Sequence, residues 1–214
     1  MKKIKKRTEI RGLIEAAKIV STIFRPMYYP LLGSAILLTM TPLALLPLEY
    51  KALHLLTMML FTITIPWLST IMYMRLCHIG TVDLTKRHNK IVPYAIYIIF
   101  YTIYYYMMRE ASIPYPLVSV IIVALCIQIA CTLISLVWKV SVHMAGAGAI
   151  IGALAAYGFI LNFNPLPWLC TAIIVSGLVG TSRMILRQHN LSQLVIGLLI
   201  GFLCGFLGIL YLTV

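Results

Sequence analysis

Ser182-Arg183-Met184-Ile185-Leu186-Arg187-Gln188-His189-Asn190-Leu191-Ser192-Gln193 gathers two arginines, a histidine, three amides and two hydroxyls into one short stretch. Apolar runs flank it, at 165–181 and 191–213. Each approaches the ~20 residues that a helix needs to cross a bilayer. A polar cluster between two such runs has two readings. It is a charged loop flanking membrane helices, or a site that grips a phosphate and attacks it with a histidine.

The rest of the chain sets the context. Of its 214 residues, 62% are hydrophobic and only 10% are charged. Soluble domains carry about 25% charged residues, so the composition is that of an integral membrane protein. Seventeen Lys and Arg stand against five Asp and Glu, a formal charge of +12. Such a surplus suits positive-inside flanks and attraction to anionic membrane lipids. A chain of membrane spans offers no soluble domain for nucleic acid, so no nucleic-acid partner is expected. The acidic residues are Glu9, Glu15, Glu49, Asp83 and Glu110. With none after residue 110, chemistry in the C-terminal half falls to His, Arg, Lys, Ser or amides. The five cysteines are scattered in mostly apolar runs without metal-ligand spacing, and read as small buried hydrophobes.

Residues 1–27 are expected to form a basic N-terminus and a short interfacial amphipathic helix. Leu13, Ile14, Ala17, Val20 and Phe24 recur there at helical spacing. Residues 28–214 are expected to form a single transmembrane domain. Its apolar segments are 28–48, 53–75, 91–108, 117–138, 144–161, 165–181 and 191–213. The fold class that follows is all-α, a polytopic membrane bundle of six to seven transmembrane helices. Pro30, Pro42 and Pro47 mark the first segment as kinked or re-entrant. Gly146, Gly148 and Gly152, and Gly197, Gly201, Gly205 and Gly208, predict close helix contacts. If every segment spans once, the basic connections at 76–90, 139–143 and 182–190 share one face with the N-terminus.

Three clusters at that face hold candidate chemistry. Lys139-Val140-Ser141-Val142-His143 precedes an apolar helix, whose free N–H groups and positive dipole end favour an anion. Ser141 there is an N-cap or a phosphate donor, and His143 a proton donor. In the opening stretch, Arg183 offers a fork of donors that fits phosphate. Ser182 and His189, seven apart, share a face if the segment is helical, and His189 and Gln193, four apart, can touch. Arg187 reads as a positive flank. The third cluster, 83–94, places Lys86, Arg87 and Lys90 just before Pro93.

These residues resemble the signatures of the type 2 phosphatidic acid phosphatase (PAP2) superfamily. Ser182-Arg183, five residues and His189 is similar to its third signature, Ser-Arg-x5-His-x3-Asp. Ser141-Val142-His143 resembles the second, Pro-Ser-Gly-His. The 83–93 run stands where the first, Lys-x6-Arg-Pro, is expected. The chain departs from the pattern at Gln193, where the family has Asp, and at Val140 and Val142, where it has Pro and Gly. No Arg directly precedes Pro93. A divergent bacterial branch is the resulting expectation, in the inner (cytoplasmic) membrane.

The resemblance implies a membrane phosphatase acting on a lipid phosphate: phosphatidic acid, phosphatidylglycerophosphate, a polyprenyl diphosphate or a lipid A type. His189 would be the nucleophile, forming a phosphohistidine, and His143 the acid for the leaving alkoxide. Gln193 would orient His189. Arg183, Ser141, Ser182 and Lys139 would hold the phosphate, with Lys90, Arg87 or Lys86 supplying the first-signature cation. No metal or other cofactor is implied. The alternative is a weakened relative that binds lipid phosphates without efficient turnover, because Gln193 supplies no charge.

Overall fold

The computed structural model describes residues 2–78, 91–161 and 164–213. Among them the chain is helical, with no strand. A basic helix, α1 (Lys2–Ile23), is followed by a 3-10 turn at Pro26–Tyr28 and the short α2 (Tyr29–Met40). Next come α3 (Leu48–Met59), α4 (Ile65–Leu76), α5 (Ile91–Glu110) and α6 (Tyr115–Val137). The bundle closes with α7 (Val142–Ile160), α8 (Leu166–Ile185) and α9 (Leu191–Thr213). Among the described residues, six helical stretches are long and apolar enough to cross a membrane, the first running continuously from Leu48 to Leu76. The chain is therefore an all-α, multi-pass membrane bundle.

Prolines shape the N-terminal half. The twelve residues of α2 rise about 18 Å, short of the ~30 Å hydrocarbon core. Thr41-Pro42 stops the helix, and a 3-10 turn, Pro42–Leu45, follows. Thr41 caps that turn, its hydroxyl accepting from the Leu43 N–H at 3.3 Å. Residues 28–48 are thus a broken segment. Between α3 and α4, Pro66 has no N–H to give the preceding turn. The helix absorbs it as a π-segment, Leu60–Thr64, in which the Ile65 N–H reaches back to the Leu60 carbonyl.

At the centre, α7 and α9 pack most closely. Glycines on each helix meet backbone of the other. A Cβ on Gly148 or Gly152 would collide with the Leu198 or Phe202 carbonyl. One on Gly201 or Gly205 would collide with the carbonyl of Ala145 or Ala149. Lipid gives helices no hydrophobic reason to associate, so backbone proximity and dispersion hold this pair. A Cβ on Gly197 would lie 2.6 Å from the Ser141 carbonyl. The same contact therefore fixes the start of α7 against the first turns of α9.

Two expectations change. First, α1 is longer than the 13–24 helix read from the sequence, and it does more than lie at an interface. Ala17 and Ser21 are buried, and Val20 and Phe24 pack on Met144, Val179 and Leu194 of α7, α8 and α9. Second, α8 extends past residue 181 to Ile185, so Ser182 and Arg183 lie in its last turns. The 182–193 stretch is consequently not one helix: α8 ends, the chain reverses, and α9 begins at Leu191.

Candidate functional site

The reversal between α8 and α9 is a Schellman-type C-cap. The Gln188 N–H donates to the Arg183 carbonyl at 3.1 Å, and the Arg187 N–H to the Met184 carbonyl at 2.9 Å. Arg187 occupies the left-handed position, with φ 52°, where glycine is usual. It is exposed and outside the pocket, as a flanking cation would be. The turn brings Gln188 and His189 back beside Arg183, and all three line one pocket.

Gln193 then fixes the chemistry of His189. It is the third residue of α9, and its Oε1 accepts the Asn190 N–H at 3.2 Å, as in a capping box. A backbone N–H can only donate, so the contacting atom of Gln193 is its carbonyl oxygen. The same Oε1 lies 3.1 Å from His189 Nδ1. An oxygen cannot donate there, so Nδ1 carries the proton. The neutral imidazole therefore keeps its lone pair on Nε2. The backbone carbonyl of Gln193 also accepts the Ser141 N–H at 3.3 Å. One residue thus caps α9, sets the His189 tautomer and ties the start of α7 to it.

His143 stands in the first turn of α7. It lines the pocket, and its Nε2 is buried without a hydrogen-bond partner among the described residues. Arg183, His189 and Arg25 act on its imidazole electrostatically, and the Ser21 backbone hydrogen-bonds to it. Ser141 is the N-cap residue of α7, but its side chain makes no cap bond, and its buried Oγ has no partner. The first N–H groups of α7 therefore have no side-chain cap, which suits an anion.

Arg183 lines the pocket from the last turn of α8. Its Nη1 donates to Ser21 Oγ at 2.8 Å, and its buried Nε has no hydrogen-bond partner among the described residues. Lys139 and Arg25 complete a cationic mouth that has no carboxylate in its lining among the described residues. Leaving buried donors unpaired costs about 1–3 kcal/mol each, a cost that an anionic ligand offsets.

Of the expected residues, the pocket gathers His189, His143, Arg183 and Lys139. Gln193 stands behind His189, and Ser141 behind the start of α7. Ser182 departs from its expected role. Its buried hydroxyl donates to the Leu178 carbonyl at 2.7 Å, back into its own helix. Lys86, Arg87 and Lys90 lie outside the described residues.

Sequence reasoning missed the contribution of α1 and the turn after it. Ser21, Thr22, Arg25 and Pro26 all line the pocket. The signal was present: Lys18, six residues, then Arg25-Pro26 reproduces the Lys-x6-Arg-Pro spacing that was sought at 83–93. Lys18 precedes Ser21 and Thr22 by three and four residues on α1, but it is exposed and does not line the pocket.

One protein-family description, that of the PAP2 superfamily, matches residues 135–213. That segment runs from the end of α6 through α9 and contains both histidines, Arg183 and Gln193. No curated protein and no solved structure matches the chain.

Proposed function

We propose that the chain is a phosphatase acting on a lipid phosphate in a bacterial cytoplasmic membrane, a reading supported by the match of residues 135–213 to the PAP2 superfamily, a phosphatase-type family. The observation that carries this reading is the Gln193–His189 pair, which puts the imidazole lone pair on Nε2 in a pocket walled by cations.

In this mechanism a phosphate oxyanion sits among Arg183, Arg25 and Lys139 and the N-terminus of α7. His189 Nε2 attacks phosphorus, forming an N–P bond as the P–O bond to the lipid alkoxide breaks. Gln193 holds the Nδ1 proton as the ring gains positive charge. His143, protonated on Nε2, gives that proton to the alkoxide and the dephosphorylated lipid leaves. His143 then takes a proton from water, and the hydroxide attacks phosphorus. The N–P bond breaks, inorganic phosphate forms and His189 is restored. None of these steps calls on a metal. Phosphatidic acid, phosphatidylglycerophosphate, polyprenyl diphosphate and lipid A types all present the phosphate this requires.

The test is phosphate release from these lipids by the purified protein in EDTA. Release is expected from at least one of them and is expected to be lost in His189→Ala. Unchanged release in that variant would exclude His189 as nucleophile. A second reading, lipid-phosphate binding without efficient turnover, draws on the neutral Gln193. It predicts saturable phosphonate binding with negligible release, and appearance of release in Gln193→Asp.

A further inference from the structure

The pocket does not end at the phosphate site. It is a cavity of about 860 Å³ that continues between α2, α5, α6 and α7. Its walls change character with depth. Along α6 the lining residues below Lys139 are Leu136, Ser135, Thr132 and Gln128, then Ile127, Ala124, Val123 and Val120. Polar side chains interrupt this wall down to Gln128, and beyond it the α6 lining is apolar. Along α7 the small residues Ala149 and Ala153 leave room in the cavity, and the lining ends at Tyr157. From His143 to Tyr157 the helix rises ~21 Å. That exceeds half of a ~30 Å hydrocarbon core, the depth of one leaflet.

At the deep end the polar groups are already paired. The Tyr157 hydroxyl pairs with Ser119 Oγ at 2.6 Å and donates to the Pro116 carbonyl at 2.7 Å. Ser119 Oγ in turn lies 2.8 Å from the same carbonyl. Tyr157 and Ser119 are both buried. With its hydroxyl satisfied behind it, Tyr157 offers the cavity a ring rather than a polar group. Val120 and Leu37 also line the deep part.

We infer that this cavity is a channel for the hydrocarbon chain of the substrate, with Tyr157 as the stop that sets how long a chain the protein can enclose. The inference rests on the reading of the mouth as a phosphate site. Once the phosphate is held by Arg183 and the start of α7, the attached chain has two courses. It runs outside along lipid-facing side chains such as Leu133 and Phe159, which are exposed, or it threads down α7. A space of leaflet depth directly below the phosphate, with apolar walls in its deep part, favours threading. The chain there lies against α2, α5, α6 and α7.

The experiment uses the full-length protein in nanodiscs with alkyl phosphonates that carry a terminal diazirine, from octyl to hexadecyl. Phosphonates are not hydrolysed, so labelling is independent of turnover. After irradiation, peptide mapping locates the crosslink. Threading predicts that labelling moves down α7 with chain length, from around Ala149 for the shorter probes to Leu154 and Tyr157 for the longest. Ala153→Trp should hold the longest probe above residue 153. Labelling on Leu133 or Phe159 at every length, unchanged by Ala153→Trp, would overturn the channel. Because wild-type labelling decides the matter, a variant that fails to fold leaves the test intact. Absent phosphate release with labelling that descends α7 would remove the phosphatase reading and keep the channel; release with labelling only outside would do the reverse.

Discussion

Gln193 makes three hydrogen bonds that matter to the site: to the Asn190 N–H, to His189 Nδ1 and, through its carbonyl, to the Ser141 N–H. Replacing it by Leu removes the first two. Steady-state phosphate release should then fall about 10²–10⁴-fold, the range expected when a catalytic imidazole loses its orienting partner. Gln193→Asp keeps an acceptor and adds a charge beside the developing imidazolium. Charged hydrogen bonds are worth about 1 kcal/mol more than neutral ones, so kcat should rise roughly fivefold; a fall would mean that the amide is the better partner here. Ser21→Ala removes the oxygen that holds Arg183 Nη1. Loss of that bond, worth about 1 kcal/mol, should raise KM severalfold and leave kcat nearly unchanged. His143, Arg183 and His189 were legible in the sequence because their spacing survives the fold. Ser21 was not, since a serine on an apolar helix face carries no mark of an arginine that approaches from far along the chain.

At the scale of elements, helix boundaries follow packing as much as local pattern. The sequence suggests that α8 stops at 181, because Ser182 and Arg183 look like loop residues. In the fold, Ser182 returns its hydroxyl to Leu178 and Arg183 finds Ser21 on α1, so the helix continues to Ile185. The C-cap beyond it places Arg187 at φ 52°. A left-handed L-residue costs roughly 1–2 kcal/mol, so Arg187→Gly should raise the thermal midpoint while phosphate release is retained. A lower midpoint would show that Arg187 makes contacts that outweigh the strain. The α7–α9 contact is the opposite case. Gly201→Leu sets a side chain against the Ala145 carbonyl and must push the helices apart. Loss of monodisperse protein, or a large drop in midpoint with loss of release, is expected, whereas Gly177→Leu, where an added Cβ meets nothing within 4 Å, should be tolerated. The sequence marked both glycine stripes as contact surfaces, but it could not pair them, since small residues at that spacing do not name their partner.

For the molecule as a whole, the bundle gathers its polar inventory at one end. The residues at that end come from α1 (Ser21, Thr22), the turn at Arg25, the start of α5, the end of α6, the start of α7 and the α8–α9 reversal. Six of the seven apolar segments read from the sequence correspond to candidate spans among the described residues, whereas 28–48 is broken at Thr41-Pro42. That the N-terminal helix closes the site was not, because its buried stripe says only that one face is covered. Ser112, between α5 and α6, lies at the opposite end. In a cysteine-free background, Lys139→Cys should therefore be modified by an impermeant thiol reagent from one side of the membrane and Ser112→Cys from the other; labelling of both from one side would contradict the arrangement. The central claim is that His189 takes the phosphoryl group and His143 completes the cycle. It is tested most directly by mixing the protein with a lipid phosphate, quenching in alkali and measuring intact and peptide masses. A transient phosphoryl adduct on His189 is predicted, absent in His189→Ala and longer-lived in His143→Ala when the leaving group needs no proton. Phosphate release without any adduct at His189, and undiminished in His189→Ala, would contradict it.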